Sequence, residues 1–180
     1  PYLERRLEEL VPDTPVRVVL QPGGRSRGSA DAARRVLRNS SSIRHRPDGK
    51  PTPAEGHMSV AHARALTLAV AGALRVGCDL EEVVSRPPEI WSDLLGPAQL
   101  QLAGRIAAQR PEPLDVAATR LWCGRECLKK AGLPESAAFV LESVLEDGWV
   151  LLRSGNILVA TAAIPIRDAK EPLMIAVALE

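Results

Sequence analysis

The sequence predicts an α+β protein, because short β-branched and apolar runs lie near both ends of the chain and segments with helical periodicity lie between them. Apolar residues make up 46% of the 180 residues and charged residues 25%, a balance that supports a buried core. The length favours one compact domain or two small, closely packed ones.

The N-terminal segment predicts a charged amphipathic helix over Tyr2–Leu10 and a short strand over residues 16–20. A turn at residues 22–24 follows, and Ser29 offers an N-cap to a helix over residues 30–38. Because the chain begins with Pro1 rather than Met, we expect it to be a fragment of a longer polypeptide.

Three consecutive strands are predicted next, over residues 57–62, 65–71 and 74–81, with a tight turn at Gly72 and Ala73 joining the last two. Helices follow over residues 89–95, 97–108 and 115–131, and strands return over residues 149–152, Ile157–Ile164 and Leu173–Leu179. This order is compatible with two similar α/β halves, residues 1–75 and 76–180.

Charge is distributed unevenly along the chain, although the net charge is only +1. Residues 24–50 carry eight Lys or Arg against two acids, a local balance of +6, and residues 51–180 carry twelve basic against sixteen acidic side chains. We expect an anionic ligand near the first third and carboxylate chemistry further along. The alternative is a basic loop and helix face that is simply solvated.

The first candidate site is the acidic end of the strand that finishes at Glu81. Asp79 and Glu81 are two residues apart, so both side chains project from the same face of the strand. Two adjacent carboxylates suit Mg²⁺ bound together with a phosphate. The alternative is a solvated strand end with two unrelated acids.

The second candidate site lies in the longest predicted helix, where Trp122, Glu126 and Lys130 recur every four residues and share one face. Such a helix can direct a third metal ligand and a phosphate-binding cation to one point. The alternative is an ordinary Glu–Lys surface pair beside a core tryptophan.

The third candidate site joins a lysine and a histidine to the basic segment. Lys50 follows a turn at residues 47–49, and His62 ends a predicted strand. Taken singly, such residues are more often ordinary surface or satisfied polar groups.

The three cysteines, Cys78, Cys123 and Cys127, contain no Cys-x-x-Cys pair, so we interpret them as small buried apolar residues rather than zinc ligands. A sparse, odd cysteine count without a signal peptide favours the reducing cytoplasm. The longest weakly polar run, residues 65–74, is too short to cross a bilayer.

The order and spacing of these elements resemble the 4'-phosphopantetheinyl transferases of the larger, surfactin-synthetase-activating type. The matching pattern is Gly-Lys-Pro at residues 49–51, a strand ending in His62, Gly-x-Asp-x-Glu at residues 77–81, and Trp-x-x-Arg-Glu-x-x-x-Lys at residues 122–130. The resemblance covers residues 31–132. The sequence departs from the family at Ala61, commonly Ser, and at Arg125, commonly Lys.

The resemblance implies a fold of two similar halves arranged as a pseudo-dimer, and transfer of phosphopantetheine from coenzyme A to a serine of an acyl or peptidyl carrier protein. Mg²⁺ would be held by Asp79, Glu81 and Glu126, with Glu126 also accepting the serine proton. Coenzyme A would be bound by six basic residues: Arg34, Arg44, Arg46, Lys50, His62 and Lys130. Two of them, His62 and Lys130, would also be catalytic.

Two alternative functions and one possible context also follow from the sequence. A chain of this composition is compatible with a domain of a polyketide synthase. A catalytically silent module that binds coenzyme A or a carrier protein is the first alternative. A nucleic-acid-binding domain built on residues 25–50 is the second, but the segment lacks aromatic residues for base stacking. We therefore expect neither nucleic acid nor membrane as a partner.

Overall fold

The computed structural model describes residues 2–12, 14–24, 27–38, 43–45, 51–134, 136–167 and 169–180, without the side chains of residues 27, 45 and 51. The predicted α+β class is confirmed. In chain order the elements are α1 (Tyr2–Leu10), β1 (Val16–Pro22), α2 (Arg27–Leu37), β2 (Ile43–His45), β3 (Pro51–Pro53), β4 (His57–Ala63), β5 (Leu66–Gly72), β6 (Val76–Glu82), α3 (Pro88–Leu95), α4 (Pro97–Gln109), α5 (Leu114–Lys130), β7 (Val140–Val144), β8 (Val150–Ser154), β9 (Ile157–Ile164) and β10 (Leu173–Leu179).

Two antiparallel sheets form the framework, and β2 pairs with β3 in a small third one. The strand order is β1-β5-β4 in the first sheet and β6-β10-β9-β8-β7 in the second. In both sheets, a strand, a helix and a hairpin follow one another along the chain. The second strand of the hairpin pairs with the first strand of the hairpin on one side and with the initial strand on the other. The same connectivity therefore occurs twice, with β1, α2, β4 and β5 matching β6, α5, β9 and β10.

The apolar residues form layers on either side of each sheet. Alternate residues of both sheets, such as Val18, Leu68, Leu80 and Ile175, share a central core to which Leu7 of α1 also contributes. The opposite face of the first sheet packs against α2, and that of the second packs against α4 and α5. Among the described residues, no helix combines the length and the apolarity needed to cross a bilayer.

Helix α5 lies unusually close to strand β6 because of a glycine. A Cβ atom on Gly77 would stand 2.0 Å from the carbonyl oxygen of Cys127, which is far inside van der Waals contact. Only a residue without a side chain therefore allows the two backbones to approach in this way. The approach places the residues that follow Gly77 along β6 directly beside the last two turns of α5.

A buried arginine fastens the other side of the same helix. Arg120 is fully buried, and its guanidinium makes two 2.9 Å contacts with the Glu112 carboxylate. It also donates to the carbonyl oxygens of Thr161 in β9 and Gly148 before β8. Because each charge has its partner and the remaining donors are used, this buried ion pair holds α5 in register on the second sheet.

The sequence-based element bounds are correct for α1, β9 and β10 and close for the other helices. The predicted tight turn after β5 is replaced by a connection over residues 73–75, and the strands that it joins do not pair, because β5 pairs with β1 on one side and β4 on the other. Strand β6 therefore begins only at Val76, in the second sheet. Ser29 is not an N-cap, because α2 starts two residues earlier. Strands β2, β3 and β7 were not predicted.

We expect Gly77→Ala to lower the free energy of unfolding by about 2 kcal/mol, because the new methyl group must displace α5 or β6. Urea unfolding followed by circular dichroism measures the loss. Gly104→Ala is the control, since Gly104 lies in α4 and a Cβ there meets nothing within 4 Å. That change should stabilise the protein by up to about 1 kcal/mol through helix propensity. Equal effects of the two substitutions would contradict the close approach.

Candidate active site

The carboxylates of β6 face α5, as their spacing predicts. Asp79 and Glu81 lie opposite Ala176 and Met174 of β10, on the same face as Gly77. The residues between them, Cys78 and Leu80, point into the central core. Asp79 is 6% exposed, so its charge is almost completely removed from water.

Two side chains of α5 donate to these carboxylates, one to each. Lys130 Nζ is 2.6 Å from Asp79 Oδ1 and also donates to the Cys78 carbonyl oxygen at 3.1 Å. Trp122 donates from Nε1 to Glu81 Oε1 at 3.2 Å. The structure therefore brings the acidic strand end and the predicted helical face together at one point.

Glu126, the third predicted ligand, lies on the same face of α5 between Trp122 and Lys130. Its Oε1 is 3.9 Å from Lys129 Nζ, and the residue lines a cavity of about 140 Å³ with Trp122, Arg125 and other residues of this region. Within the described part of the chain, no three His, Cys, Asp or Glu side chains form a ready-made metal cluster. The predicted metal triad is thus not preassembled in this arrangement.

The electrostatics of the site favour an added cation. Burial raises the pKa of Asp79, although Lys130 opposes the shift, and burial together with the Asp79 charge raises the pKa of Glu81. Burial alone would lower the pKa of Lys130, but the Asp79 carboxylate outweighs it and leaves that pKa raised. Asp79 Oδ2 is buried and accepts no hydrogen bond of ordinary geometry from the described residues, although the Cys123 thiol, a weak donor, acts to lower the pKa of Asp79.

These observations fit a hard divalent cation. An unpartnered carboxylate oxygen costs free energy until a donor or a cation reaches it. Oxygen ligands from Asp79, Glu81 and Glu126 are the type that Mg²⁺ prefers. Asp79 and Glu81 are therefore a donor set of the type that suits Mg²⁺, and Glu126 lies on the helix that faces them.

His62 lies at the same end of the molecule as the carboxylates. Strands β4 and β6 are in contact, since the Cys78 amide donates to Ser59 Oγ at 3.0 Å and Arg64, just after β4, pairs with Glu82. The ends of both strands are thereby held together. His62 in β4 and Glu81 in β6 are each three residues beyond the Ser59–Cys78 contact. Because the two strands run in the same direction here, both residues lie towards the same end.

A hydrogen-bond network fixes the His62 ring. Thr67 donates its hydroxyl proton to the Gly23 carbonyl oxygen at 2.6 Å, so its oxygen accepts from His62 Nδ1 at 2.9 Å. His62 Nε2, 2.8 Å from Ser29 Oγ, is then the acceptor in the neutral ring. Ser29 belongs to the first turn of α2, whose N-terminus favours anions.

No protein-family model matches this chain, and neither does any curated protein. The functional conclusion therefore depends on the site itself.

Two of the four remaining predicted cations lie within the described residues. Arg34 pairs with Asp31 at 3.0 Å on the exposed surface of α2, and Arg44 in β2 is exposed. Arg46 and Lys50 lie outside the described residues.

The three cysteines are buried and free, which confirms that they pack as small apolar residues. Burial raises the pKa of Cys78 to about 12 and raises the pKa of Cys123 and Cys127 well above the ordinary thiol value. Thiols that resist ionisation are poor metal ligands and nucleophiles.

Sequence reasoning missed three polar contacts at the site: the Trp122 indole with Glu81, Ser29 with His62, and Arg125 with α3. The first had a signal, because a tryptophan on the same helical face as an acid needs a partner for its N–H. The Ser29 contact had none, since the two residues are 33 positions apart.

We expect Lys130→Met to lower the free energy of unfolding by about 2 kcal/mol at neutral pH, because buried Asp79 loses its ion-pair partner. Asp79 has a raised pKa in the folded state, so the folded protein takes up its proton first as pH falls. The deficit should therefore shrink as pH falls from neutral towards 3.8, the ordinary aspartate value.

Urea unfolding at several pH values measures this dependence. Lys129→Met is the control, because its side chain is 53% exposed and should change stability by no more than about 0.5 kcal/mol. A pH-independent deficit, or equal losses in the two variants, would show that the Lys130–Asp79 pair does not carry the effect.

Proposed function

We propose that the chain is a Mg²⁺-dependent 4'-phosphopantetheinyl transferase that modifies a serine of an acyl or peptidyl carrier protein with coenzyme A as donor. The observation that carries this proposal is the meeting of the β6 carboxylates with Lys130 and Trp122 of α5, the helix that also carries Glu126 on the same face. The twofold occurrence of one connectivity, across residues 1–75 and 76–180, supports the pseudo-dimeric fold that this family has.

The metal ligands in this proposal are Asp79, through Oδ2, with Glu81 and Glu126. Mg²⁺, when bound, would withdraw charge from the diphosphate of coenzyme A and make the leaving group less basic. Lys130 holds Asp79 Oδ1 and the Cys78 carbonyl with two of its three N–H groups. The third can donate to a diphosphate oxygen, where negative charge builds up during transfer.

The transfer step needs one proton acceptor. The carrier serine Oγ attacks the phosphorus that bears the pantetheine arm, and its proton passes to Glu126. The Oγ–P bond forms as the bond from phosphorus to the bridging oxygen breaks, which releases 3',5'-ADP. Glu126 suits this role because it is partly exposed and lines a cavity together with Trp122, which bonds to Glu81.

The phosphates of coenzyme A are assigned to the His62 end of the site. His62 and the first turn of α2 lie together there. From the sequence, we assign Lys50, Arg34, Arg44 and Arg46 of the basic segment to the same ligand. Because Nε2 accepts a hydrogen bond from Ser29 in the neutral ring, the protonated imidazole is the form that donates to a phosphate.

We expect Asp79→Ala and Glu126→Ala each to lower kcat at least about a hundredfold, because each removes a metal ligand and the second also removes the general base. The assay combines the protein with coenzyme A, Mg²⁺ and an apo carrier protein, and mass spectrometry detects the added phosphopantetheine. Glu142→Ala is the control, since Glu142 is an acid of β7 that pairs with Arg153.

Near-normal turnover in either site variant, or full activity in excess chelator, would refute the metal site. Tight coenzyme A binding without any transfer by the unaltered protein would instead favour the silent binding module. Salt-sensitive binding to RNA or DNA that is stronger than binding to coenzyme A would favour the nucleic-acid-binding domain.

We expect His62→Ala and Lys50→Ala each to weaken coenzyme A binding about tenfold, the equivalent of ~1.4 kcal/mol, because each removes a charged phosphate contact. Added salt should weaken binding to the unaltered protein for the same reason. Calorimetry measures the dissociation constant. His57→Ala is the control, because His57 is exposed at the opposite end of β4. Unchanged affinity in both site variants would move the phosphates elsewhere.

A further inference from the structure

We propose that Trp122 is a positioning residue for Glu81 and that Arg125 holds Trp122 in place. The role of Trp122 as a determinant of metal affinity rests on the transferase function proposed above. The contacts themselves are independent of that function and can be tested without it.

The Trp122 indole fixes one oxygen of Glu81. Its Nε1–H donates to Glu81 Oε1 at 3.2 Å, across the interface between α5 and β6. A glutamate side chain has several rotatable bonds, so a ligand oxygen is presented in one direction only when another group restrains it. A rigid indole on a helix provides such a restraint.

Arg125 fixes the indole in turn. Its guanidinium lies over the Trp122 ring, 5.8 Å from the ring centre, and donates to the carbonyl oxygen of Leu94. That carbonyl belongs to the last turn of α3, where backbone acceptors lack intrahelical partners. The contacts therefore run without a break from the end of α3 through Arg125 and Trp122 to Glu81.

The division of oxygens supports the same role. Lys130 occupies Oδ1 of Asp79, and Trp122 occupies Oε1 of Glu81. One oxygen of each carboxylate is thus restrained from α5, and the other is left for a cation. Because Trp122 and Lys130 are eight residues apart, with Glu126 midway, two helical turns present all three groups on one face.

The chain also contains a matched unit whose tryptophan bonds to a different acid, although the charge of its Arg86 acts to lower the pKa of Glu81. Trp91 donates from Nε1 to Asp115 Oδ1 at 2.7 Å, and Arg86 lies over its ring at 5.3 Å. Asp115 is at the first turn of α5, more than three turns from Lys130. Trp91→Phe therefore makes the same chemical change as Trp122→Phe without touching Glu81.

The first experiment uses the indole N–H signals of the three tryptophans in ¹H–¹⁵N correlation spectra, assigned by single Trp→Phe substitutions. Glu81→Gln and Arg125→Met should each shift the Trp122 signal and leave that of Trp149, in the central core, in place. Arg125→Lys, which keeps a cation and N–H donors, should shift the Trp122 signal less than Arg125→Met. A Trp122 signal that does not respond to Glu81→Gln would overturn the proposal.

The second experiment measures Mg²⁺ affinity by calorimetry. Trp122→Phe should weaken binding about tenfold or more, as expected when a group that orients a metal ligand is lost. Trp91→Phe should leave the affinity unchanged, even if it lowers the melting temperature. Equal affinities in Trp122→Phe and the unaltered protein would also overturn the positioning role.

The two experiments separate this inference from the proposed function. If the unaltered protein binds no Mg²⁺ and transfers no phosphopantetheine, the proposed function fails, and the spectra alone decide whether Arg125, Trp122 and Glu81 are coupled. If Mg²⁺ binds and transfer occurs, but Trp122→Phe has no effect on affinity, the proposed function stands and the inference fails.

Discussion

The close approach of α5 to β6 at Gly77 is the constraint on which the rest of the site depends. A strand presents side chains every second residue and a helix every fourth, so the two patterns match only at a particular depth and register. Gly77 sets the depth, and the fully buried Arg120, bonded to β9 and to the β7–β8 turn, sets the register. At that position Lys130 reaches Asp79 while Trp122 reaches Glu81.

Burial of the carboxylates has an electrostatic cost, and the site offsets only part of it. Lys130 compensates Asp79 through one oxygen, yet the pKa of Asp79 stays above its ordinary value because burial outweighs the lysine. The pKa of Glu81 is raised as well, partly by the charge of Asp79. A fold needs no such arrangement for stability, since an apolar pair of the same volume would pack without the penalty. Buried carboxylates with raised pKa values are typical of sites that bind a cation or perform chemistry.

The parts predicted correctly are those that depend on local patterns. Helix α1, strands β9 and β10, and the shared faces of Asp79 with Glu81 and of Glu126 with Lys130 all follow from periodicity along one element. Strand β7 was missed because it is an edge strand with Val140 mostly exposed and a bulge near Leu141. The two strands on either side of Gly72 lie in different sheets because β5 pairs with the distant β1, which a local turn signal does not reveal. Contacts such as that of Trp122 with Glu81 depend on how a helix packs on a sheet, which periodicity does not contain.

The two units of like connectivity carry different polar groups at corresponding positions. In the second unit, the residues of β6 that face α5 are Gly77, Asp79 and Glu81. When β1 and β6 are aligned at their first residues, the matching positions of β1 are Arg17, Val19 and Gln21, and none of these is a carboxylate. The first unit instead supplies His62 and the N-terminus of α2. Strands β4 and β6 belong to different sheets, and their contact joins the two contributions. In the proposed transferase, coenzyme A takes anion-binding groups from one unit and carboxylates from the other, so binding requires both units.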